Sequence, residues 1–170
     1  MENTTSKYDT KLNMNNPSST QGSIDCVLVD LDGTLADCDH RRHFLDHVPK
    51  NWKGFLDPKL VAEDPLIEPV AKVVRALADN YPILYVSGRT RALHTATKVW
   101  LEGHGLWIPP HKLYMRKLND FRTDVIVKRE LLAIIRKEWN PWLAIDDRAS
   151  VVEMWRDEGL TCLQVNDGLD

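Results

Sequence analysis

Between residues 26 and 165, five short apolar segments alternate with longer segments whose apolar residues recur at helical spacing. The short segments are typical of buried strands, because they are rich in β-branched residues and bounded by turn residues. They are 26–31, 83–86, 113–115, 142–145 and 161–165. Between them, helices are predicted over 65–80, 90–102, 124–138 and 150–158. This alternation predicts an α/β protein, a three-layer α/β/α sandwich around a five-stranded parallel sheet.

The first 23 residues differ in composition from the rest of the chain, because they are rich in Asn, Ser and Thr and carry almost no large apolar side chains. Such a segment buries too little apolar surface to offset the entropy lost on ordering it. We therefore predict a disordered arm over residues 1–23 and one folded domain over residues 24–170, which is long enough to bury a core.

Charge and cysteine usage suggest a cytoplasmic protein. No apolar stretch follows the first charged residues, so no signal peptide is predicted, and no run reaches the roughly 20 apolar residues of a membrane helix. The three cysteines form no CxxC pair and fit a reducing compartment. The net charge of −3 excludes an overall basic nucleic-acid binder, yet residues 81–140 carry eleven Lys or Arg against five Asp or Glu. This excess either attracts an anionic substrate or belongs to a solvated mixture of charges.

The sequence DLDGT, residues 30–34, marks the end of the first predicted strand. Ligands of parallel sheets bind beyond the carboxyl ends of the strands, so Asp30 and Asp32 are expected at a functional edge. Two carboxylates this close repel each other, and a divalent cation relieves that repulsion. Gly33 allows a sharp turn, and Thr34 can hydrogen-bond the turn or a phosphate oxygen.

Further polar residues follow the same edge of the predicted sheet. Each is ordinary by itself, as a turn, an exposed helical lysine or a helix N-cap. Those that follow strands are expected at the same edge, because parallel strands share their carboxyl ends. The further residues are Ser87, Gly88 and Arg89 after the second strand, Lys128 in the third helix, and Asp146 and Asp147 after the fourth strand.

In order and position these residues resemble the four motifs of the haloacid-dehalogenase (HAD) superfamily, whose first motif is DxDGT. The resemblance implies a phosphatase in which Asp30 attacks phosphorus and forms an aspartyl-phosphate, while Asp32 acts first as general acid and then as base. It also implies that Ser87 hydrogen-bonds the transferring phosphoryl group and that Lys128 neutralises charge on it and on the nucleophile. The implied ligands of one Mg²⁺ are Asp30, Asp32, Asp146 and Asp147.

The chain more closely resembles the 3′-phosphatase domain of phage-type polynucleotide kinase/phosphatases, over residues 25–166. The shared features are Arg41 or Arg42, Ser87 with Arg89, Asp124, the pair at 146–147 and the segment 115–122. By this resemblance Arg41 and Arg89 clamp a phosphate bidentately. Asp124, one helical turn before Lys128, pairs with it. The implied substrate-binding residues are Arg41, Ser87, Gly88, Arg89 and Asp124.

No GxxxxGK[ST] sequence occurs, so phosphorylation of 5′ ends is not predicted. The short segment between Ala36 and Asp64 predicts a minimal cap and an open site. Such a site suits a nucleic-acid 3′ end, and it also suits a small phosphate ester if an oligomer partner covers it. Removal of 3′-phosphates during end repair is therefore the leading hypothesis. A small-molecule nucleotidase and a catalytically silent module that binds phosphorylated ends are the alternatives. A homo-oligomer and a separate kinase or ligase partner are left open, and Trp52 and Trp107, predicted in loops, are the tryptophans to test for substrate contact.

Overall fold

The computed structural model describes residues 23–46 and 48–168. Its centre is a parallel five-stranded sheet in the order β3-β2-β1-β4-β5. The five predicted strands are confirmed. The first ends two residues earlier than predicted, and the other four are longer at their carboxyl ends, where polar residues continue the pairing with the neighbouring strand. The strands are β1 Ile24–Val29, β2 Ile83–Thr90, β3 Lys112–Arg116, β4 Trp139–Arg148 and β5 Thr161–Gly168.

Helices connect the strands, as parallel pairing requires. The last four helices are the predicted ones, shorter by up to a turn at one or both ends. The second of them begins at His94, because a 3₁₀ turn precedes it. The helices are α1 Asp39–Arg42, α2 Trp52–Phe55, α3 Pro58–Ala62, α4 Glu68–Ala78, α5 His94–Gly103, α6 Asp124–Ile135 and α7 Ala149–Asp157.

Two apolar cores lie on the two faces of the sheet. Alternate strand residues point to opposite faces, so Val27 and Leu28 of β1 belong to different cores. Helices α4 and α5 cover the first core, and α6 and α7 cover the second. Each fully buried aliphatic side chain contributes roughly 1.5–3 kcal/mol. The arrangement confirms the three-layer sandwich.

Between β1 and α4, the helical elements of the described residues are only the short helices α1 to α3 and a 3₁₀ turn. Residues 36–64 of this stretch are called the cap segment below, and they confirm the expected minimal cap. The predicted arm over residues 1–23 lies, apart from Ser23, outside the described residues. Within the described part of the chain, no helix combines the length and apolar character needed to cross a membrane.

Candidate active site

Three carboxylates meet at the carboxyl end of the sheet. Asp30 directly follows β1, and Asp146 and Asp147 lie in β4. All three are buried, and an oxygen from each lies within 4.8 Å of the others. The meeting follows from the sheet register, because Val29 pairs with Ile145 and the Asp30 amide donates a hydrogen bond to the Ile145 carbonyl at 2.9 Å.

Lys128 of α6 reaches this group from the neighbouring layer. Its buried Nζ lies 2.8 Å from Asp30 Oδ1 and 2.7 Å from Asp146 Oδ2. Trp155 Nε1 also donates to Asp146 Oδ2, at 3.0 Å. Burial lowers the pKa of Lys128, but the charges of Asp146 and Asp30 outweigh it, and the pKa ends above its ordinary value. Lys128 is therefore a permanent cation against the predicted nucleophile.

The acidic group holds more negative charge than one lysine neutralises. Burial raises the pKa of Asp30 strongly, Lys128 partly offsets this, and Asp146 and Asp147 raise it further. Burial and the charge of Asp146 likewise raise the pKa of Asp147. Buried oxygen donors that resist full ionisation are suited to a hard divalent cation such as Mg²⁺. The residues present therefore fit a magnesium ion.

The glycine and threonine of DLDGT pack against this group. Gly33 has φ of +85°, and a Cβ there would lie only 2.3 Å from Asp147 Oδ2. Only glycine fits this turn, both for its backbone conformation and for the close carboxylate. Thr34 Oγ1 donates to Asp147 Oδ1 at 3.0 Å. The hydroxyl thus orients one of the candidate metal ligands.

The Asp32 carboxylate lies outside the group of three, in contrast to the predicted set of four ligands. Arg89 Nη2 and Arg41 Nη2 each donate to Asp32 Oδ1 at 2.5 Å. These charge-assisted hydrogen bonds direct the side chain to the arginines and away from the acidic group. Burial raises the pKa of Asp32, but the charges and hydrogen bonds of Arg89 and Arg41 outweigh it and hold the pKa below its usual range.

Asp64 completes this buried ionic network and was missed in the sequence. Its Oδ1 accepts from Arg41 Nε at 2.7 Å, and its Oδ2 accepts from Arg89 Nη2 at 2.8 Å. His40 Nε2 lies 2.9 Å from Asp64 Oδ1. Two buried arginines need about two carboxylates to balance their charge. The signal in the sequence that could have pointed to Asp64 was therefore the need for a second acidic partner besides Asp32. Of the two candidate arginines, Arg41 enters this network, whereas Arg42 pairs with Asp39.

Substituting Asp64 with asparagine is expected to lower the free energy of unfolding by about 3 kcal/mol, because it leaves two buried guanidinium groups with one carboxylate. Urea denaturation of the variant measures this loss. Asp39→Asn is the matched control, since Asp39 forms an exposed pair with Arg42 at 2.9 Å and should change stability by less than about 1 kcal/mol. Equal losses in the two variants would show that the network adds no stability.

Ser87, Gly88 and Arg89 lie within β2, which continues past its predicted end. Ser87 is fully buried, and its Oγ accepts a hydrogen bond from the Arg89 amide at 3.1 Å. A Cβ on Gly88 would lie 2.6 Å from Asp124 Oδ1. The absence of a side chain at Gly88 therefore lets the start of α6 approach the end of β2.

Asp124 has partners other than the predicted one. Its Oδ2 accepts from Arg148 Nη1 at 2.7 Å, and its Oδ1 accepts from Arg116 Nη2. The direct pair between Asp124 and Lys128 is not formed, because both carboxylate oxygens face arginines and Lys128 turns to Asp30. The charge of Asp124 still helps to raise the pKa of Lys128. The two arginines come from β3 and β4, so Asp124 ties three elements together.

The two tryptophans selected for substrate contact differ in position. Trp107 is partly buried in one of the apolar cores and stacks on Tyr85, with ring centroids 6.3 Å apart. This position indicates that Trp107 has a packing role and does not contact substrate. Trp52 of α2 is 48% exposed and meets Phe55 edge-on at 6.1 Å. Trp52 therefore stays a candidate for substrate contact.

Comparison with known proteins gives a consistent result. The family model described as polynucleotide kinase PNKP phosphatase domain matches residues 24–169. A chain in the structure of the Pnkp1/Rnl/Hen1 RNA repair complex is 30% identical over 93% of this chain and 47% of its own, with a TM-score of 0.73. A chain in a second Pnkp1/Rnl/Hen1 complex is 29% identical over 99% of this chain and 57% of its own, with a TM-score of 0.74.

The chain thus spans about half the length of these two relatives. A more distant structure, a putative HAD-hydrolase from Bacillus subtilis bound to magnesium, is 11% identical over 85% of this chain and 94% of its own. Its TM-score of 0.57 reflects a shared fold.

Proposed function

This chain belongs to the family of polynucleotide kinase PNKP phosphatase domains, and we propose that it removes the 3′-phosphate from polynucleotide ends with the help of Mg²⁺. It is a HAD-type phosphatase by that membership. The observation that carries the proposal is the buried contact of Asp30 with Lys128, at 2.8 Å, beside Asp146 and Asp147. An attacking carboxylate needs such a cation, because the phosphoryl group it approaches is itself negative.

The reaction proceeds in two steps. An Asp30 oxygen attacks phosphorus, the bond from phosphorus to the 3′ oxygen breaks, and Asp32 gives a proton to the departing oxygen. Water then attacks the aspartyl-phosphate, Asp32 takes its proton, and inorganic phosphate leaves with Asp30 restored. Lys128 neutralises charge throughout. Asp30, Asp146 and Asp147 would hold a Mg²⁺ ion, which would add charge stabilisation to the phosphoryl oxygens.

The contacts of Asp32 give it the charge state that the second step needs but not the basicity. Arg89 and Arg41 hold its carboxylate ionised, and by lowering its pKa they also weaken it as a proton acceptor. The acid role in the first step requires a proton on Asp32, and its hydrogen bonds to the arginines must loosen for that. A substrate phosphate that binds Arg89 or Arg41 would compete for the same donors and release the carboxylate.

Partners are proposed by analogy. The two related chains occur in Pnkp1/Rnl/Hen1 complexes, one of which is described as an RNA repair complex. We propose that this chain also acts beside separate end-processing enzymes, such as a kinase or ligase. Cytoplasmic location, a homo-oligomer, the domain boundaries at 24–170 and the assigned roles of the site residues remain predictions.

The test is a substrate panel of a 3′-phosphorylated oligonucleotide, the same oligonucleotide with a 5′-phosphate, and nucleoside 3′-monophosphates. We expect kcat/KM to be about tenfold or more higher for the 3′-phosphorylated oligonucleotide than for the monophosphates, because each stacked base adds about 1–3 kcal/mol of binding. EDTA should abolish the activity, and added Mg²⁺ should restore it. Equal or faster turnover of mononucleotides would favour the nucleotidase instead, and full activity in EDTA would rule out the metal.

A further inference from the structure

The loop between β3 and α6 exposes two large apolar side chains. Phe121 is 89% exposed and Leu118 is 62% exposed. Residues 117–122, called the rim loop below, line an open surface depression of about 590 Å³. A solvent-facing aromatic ring next to a second apolar side chain is a feature of binding surfaces more than of packing.

Hydrogen bonds fix the backbone of the rim loop. Arg116 Nη1 donates to the Asp120 carbonyl at 3.1 Å and to the Arg122 carbonyl at 2.6 Å. Arg122 in turn binds the Asp120 carboxylate at 2.7 Å and Glu130 of α6 at 2.5 Å. The ring of Phe121, between these two anchored residues, is therefore presented by an ordered frame, which reduces the entropy lost when a ligand binds it.

The same arginine attaches the rim loop to the candidate active site. Arg116 Nε donates to the Gly88 carbonyl at 2.9 Å, and its Nη2 donates to Asp124. Gly88 follows Ser87 in β2, and the Asp124 carboxylate lies against it. The rim loop thus lies at the same carboxyl edge of the sheet as the candidate active site, on the β3 side.

We propose that Phe121 stacks on a nucleobase in the last two nucleotides of the substrate, with Leu118 widening the apolar platform. The inference rests on the proposed function and specifies how the same site recognises a polynucleotide. A ligand here must place a phosphate at Asp30 and a flat apolar face at the rim, and a nucleobase joined to its 3′-phosphate does both. Stacking on an aromatic side chain is tolerant of sequence, as repair of varied ends requires.

The excess of positive charge in this part of the chain also favours a polynucleotide as the ligand. The rim loop lies in the 81–140 stretch, where Lys and Arg outnumber Asp and Glu by eleven to five, and Lys117 at its start is exposed. A protein docked on Phe121 would instead obstruct a site that a polynucleotide end has to enter. Among the described aromatic residues, Trp52 is less exposed and already packs edge-on against Phe55.

The test compares Phe121→Ala, Phe121→Trp and the control Ile108→Ala on two substrates. Ile108 is 55% exposed but precedes β3, at the opposite end of the sheet. The substrates are a 3′-phosphorylated oligonucleotide and glycerol 2-phosphate, which has no base. For the oligonucleotide, Phe121→Ala should raise KM about tenfold with kcat within about twofold, since losing about 1.4 kcal/mol of stacking weakens binding by a factor of ten. Phe121→Trp and Ile108→Ala should keep the wild-type KM, and glycerol phosphate should show no difference among the variants.

An oligonucleotide whose last two residues are abasic locates the contact. The wild-type enzyme should bind this abasic oligonucleotide about as weakly as Phe121→Ala binds the complete substrate. Phe121→Ala should bind the abasic and the complete oligonucleotide with the same affinity. If the wild type hydrolyses the oligonucleotide but Phe121→Ala leaves KM unchanged, or weakens both substrates equally, stacking is overturned and the proposed function stands. If the wild type fails to hydrolyse the oligonucleotide, the proposed function is overturned, and stacking with it.

Discussion

Replacing Asp30 with asparagine is expected to lower kcat for a 3′-phosphorylated oligonucleotide by a factor on the order of 10⁴ to 10⁶, the range for loss of a catalytic nucleophile. An amide cannot form the aspartyl-phosphate, although it fits the same space between Lys128 and Asp147. Steady-state kinetics in saturating Mg²⁺ measure the loss. Asp46→Asn, at an exposed position in the cap segment, is the matched control and should retain full activity. A residual rate above about 1% in Asp30→Asn would place the nucleophile elsewhere.

The same variant should be more stable than the wild type when metal is absent. Burial raises the pKa of Asp30, and Asp146 and Asp147 add to the rise against the opposing effect of Lys128. Asp30 therefore loses its proton more readily in the unfolded chain than in the folded one. As a result, the free energy of unfolding falls as pH rises from the unfolded pKa of about 3.9 toward the raised pKa of the folded state. Melting curves in EDTA should show a higher Tm for Asp30→Asn at pH 8 and no difference below about pH 4. A lower Tm at pH 8 would mean that ionised Asp30 stabilises the fold.

The second large effect is expected for Lys128→Met. Lys128 is the buried cation in contact with Asp30 and Asp146, and methionine fills a similar volume without charge. Leaving both carboxylates uncompensated should lower the free energy of unfolding by about 3–5 kcal/mol. Loss of charge stabilisation should also lower kcat by about 10²- to 10³-fold. Urea denaturation in EDTA and kinetics in Mg²⁺ separate the two losses.

The control for this variant is Lys98→Met. Lys98 forms an exposed helical pair with Glu102 at 3.4 Å, which should be worth less than about 0.5 kcal/mol. Wild-type stability in Lys128→Met would show that the acidic group tolerates the loss of its cation. Wild-type kcat in the variant would remove Lys128 from the proposed reaction.

The sequence predicts the part of the site that depends on sheet topology. Asp30, Asp146 and Asp147 could be placed together because each ends an apolar strand pattern and parallel strands share a carboxyl edge. Lys128 was identified only through the resemblance to the HAD motifs. The ends of β2 and β4 could not be predicted, because their last residues are polar and extend the strands through pairing with neighbours, as Arg148 does opposite Gly168.

The side-chain partners were harder to predict. Asp64 is joined to Arg41 and Arg89 only because the cap segment folds back over the end of β2, and no local pattern encodes that return. Two further expectations had the same weakness, because they relied on neighbouring positions in the sequence: Asp32 as a metal ligand and Lys128 as the partner of Asp124. In both cases spacing along the chain placed the groups near each other, while arginines from other elements bound the carboxylates.

The network around Arg41 also limits how the protein can move. Arg41 belongs to the cap segment, whereas Asp32 and Arg89 belong to the ends of β1 and β2, so swinging this segment outward would separate desolvated ions at several kcal/mol. At about 1.4 kcal/mol per factor of ten, such an open form is populated in well under one molecule in a hundred. We therefore expect substrate to reach the catalytic residues without an outward swing of the cap segment. If the segment stays closed in this way, single-stranded tails should react before blunt duplex termini.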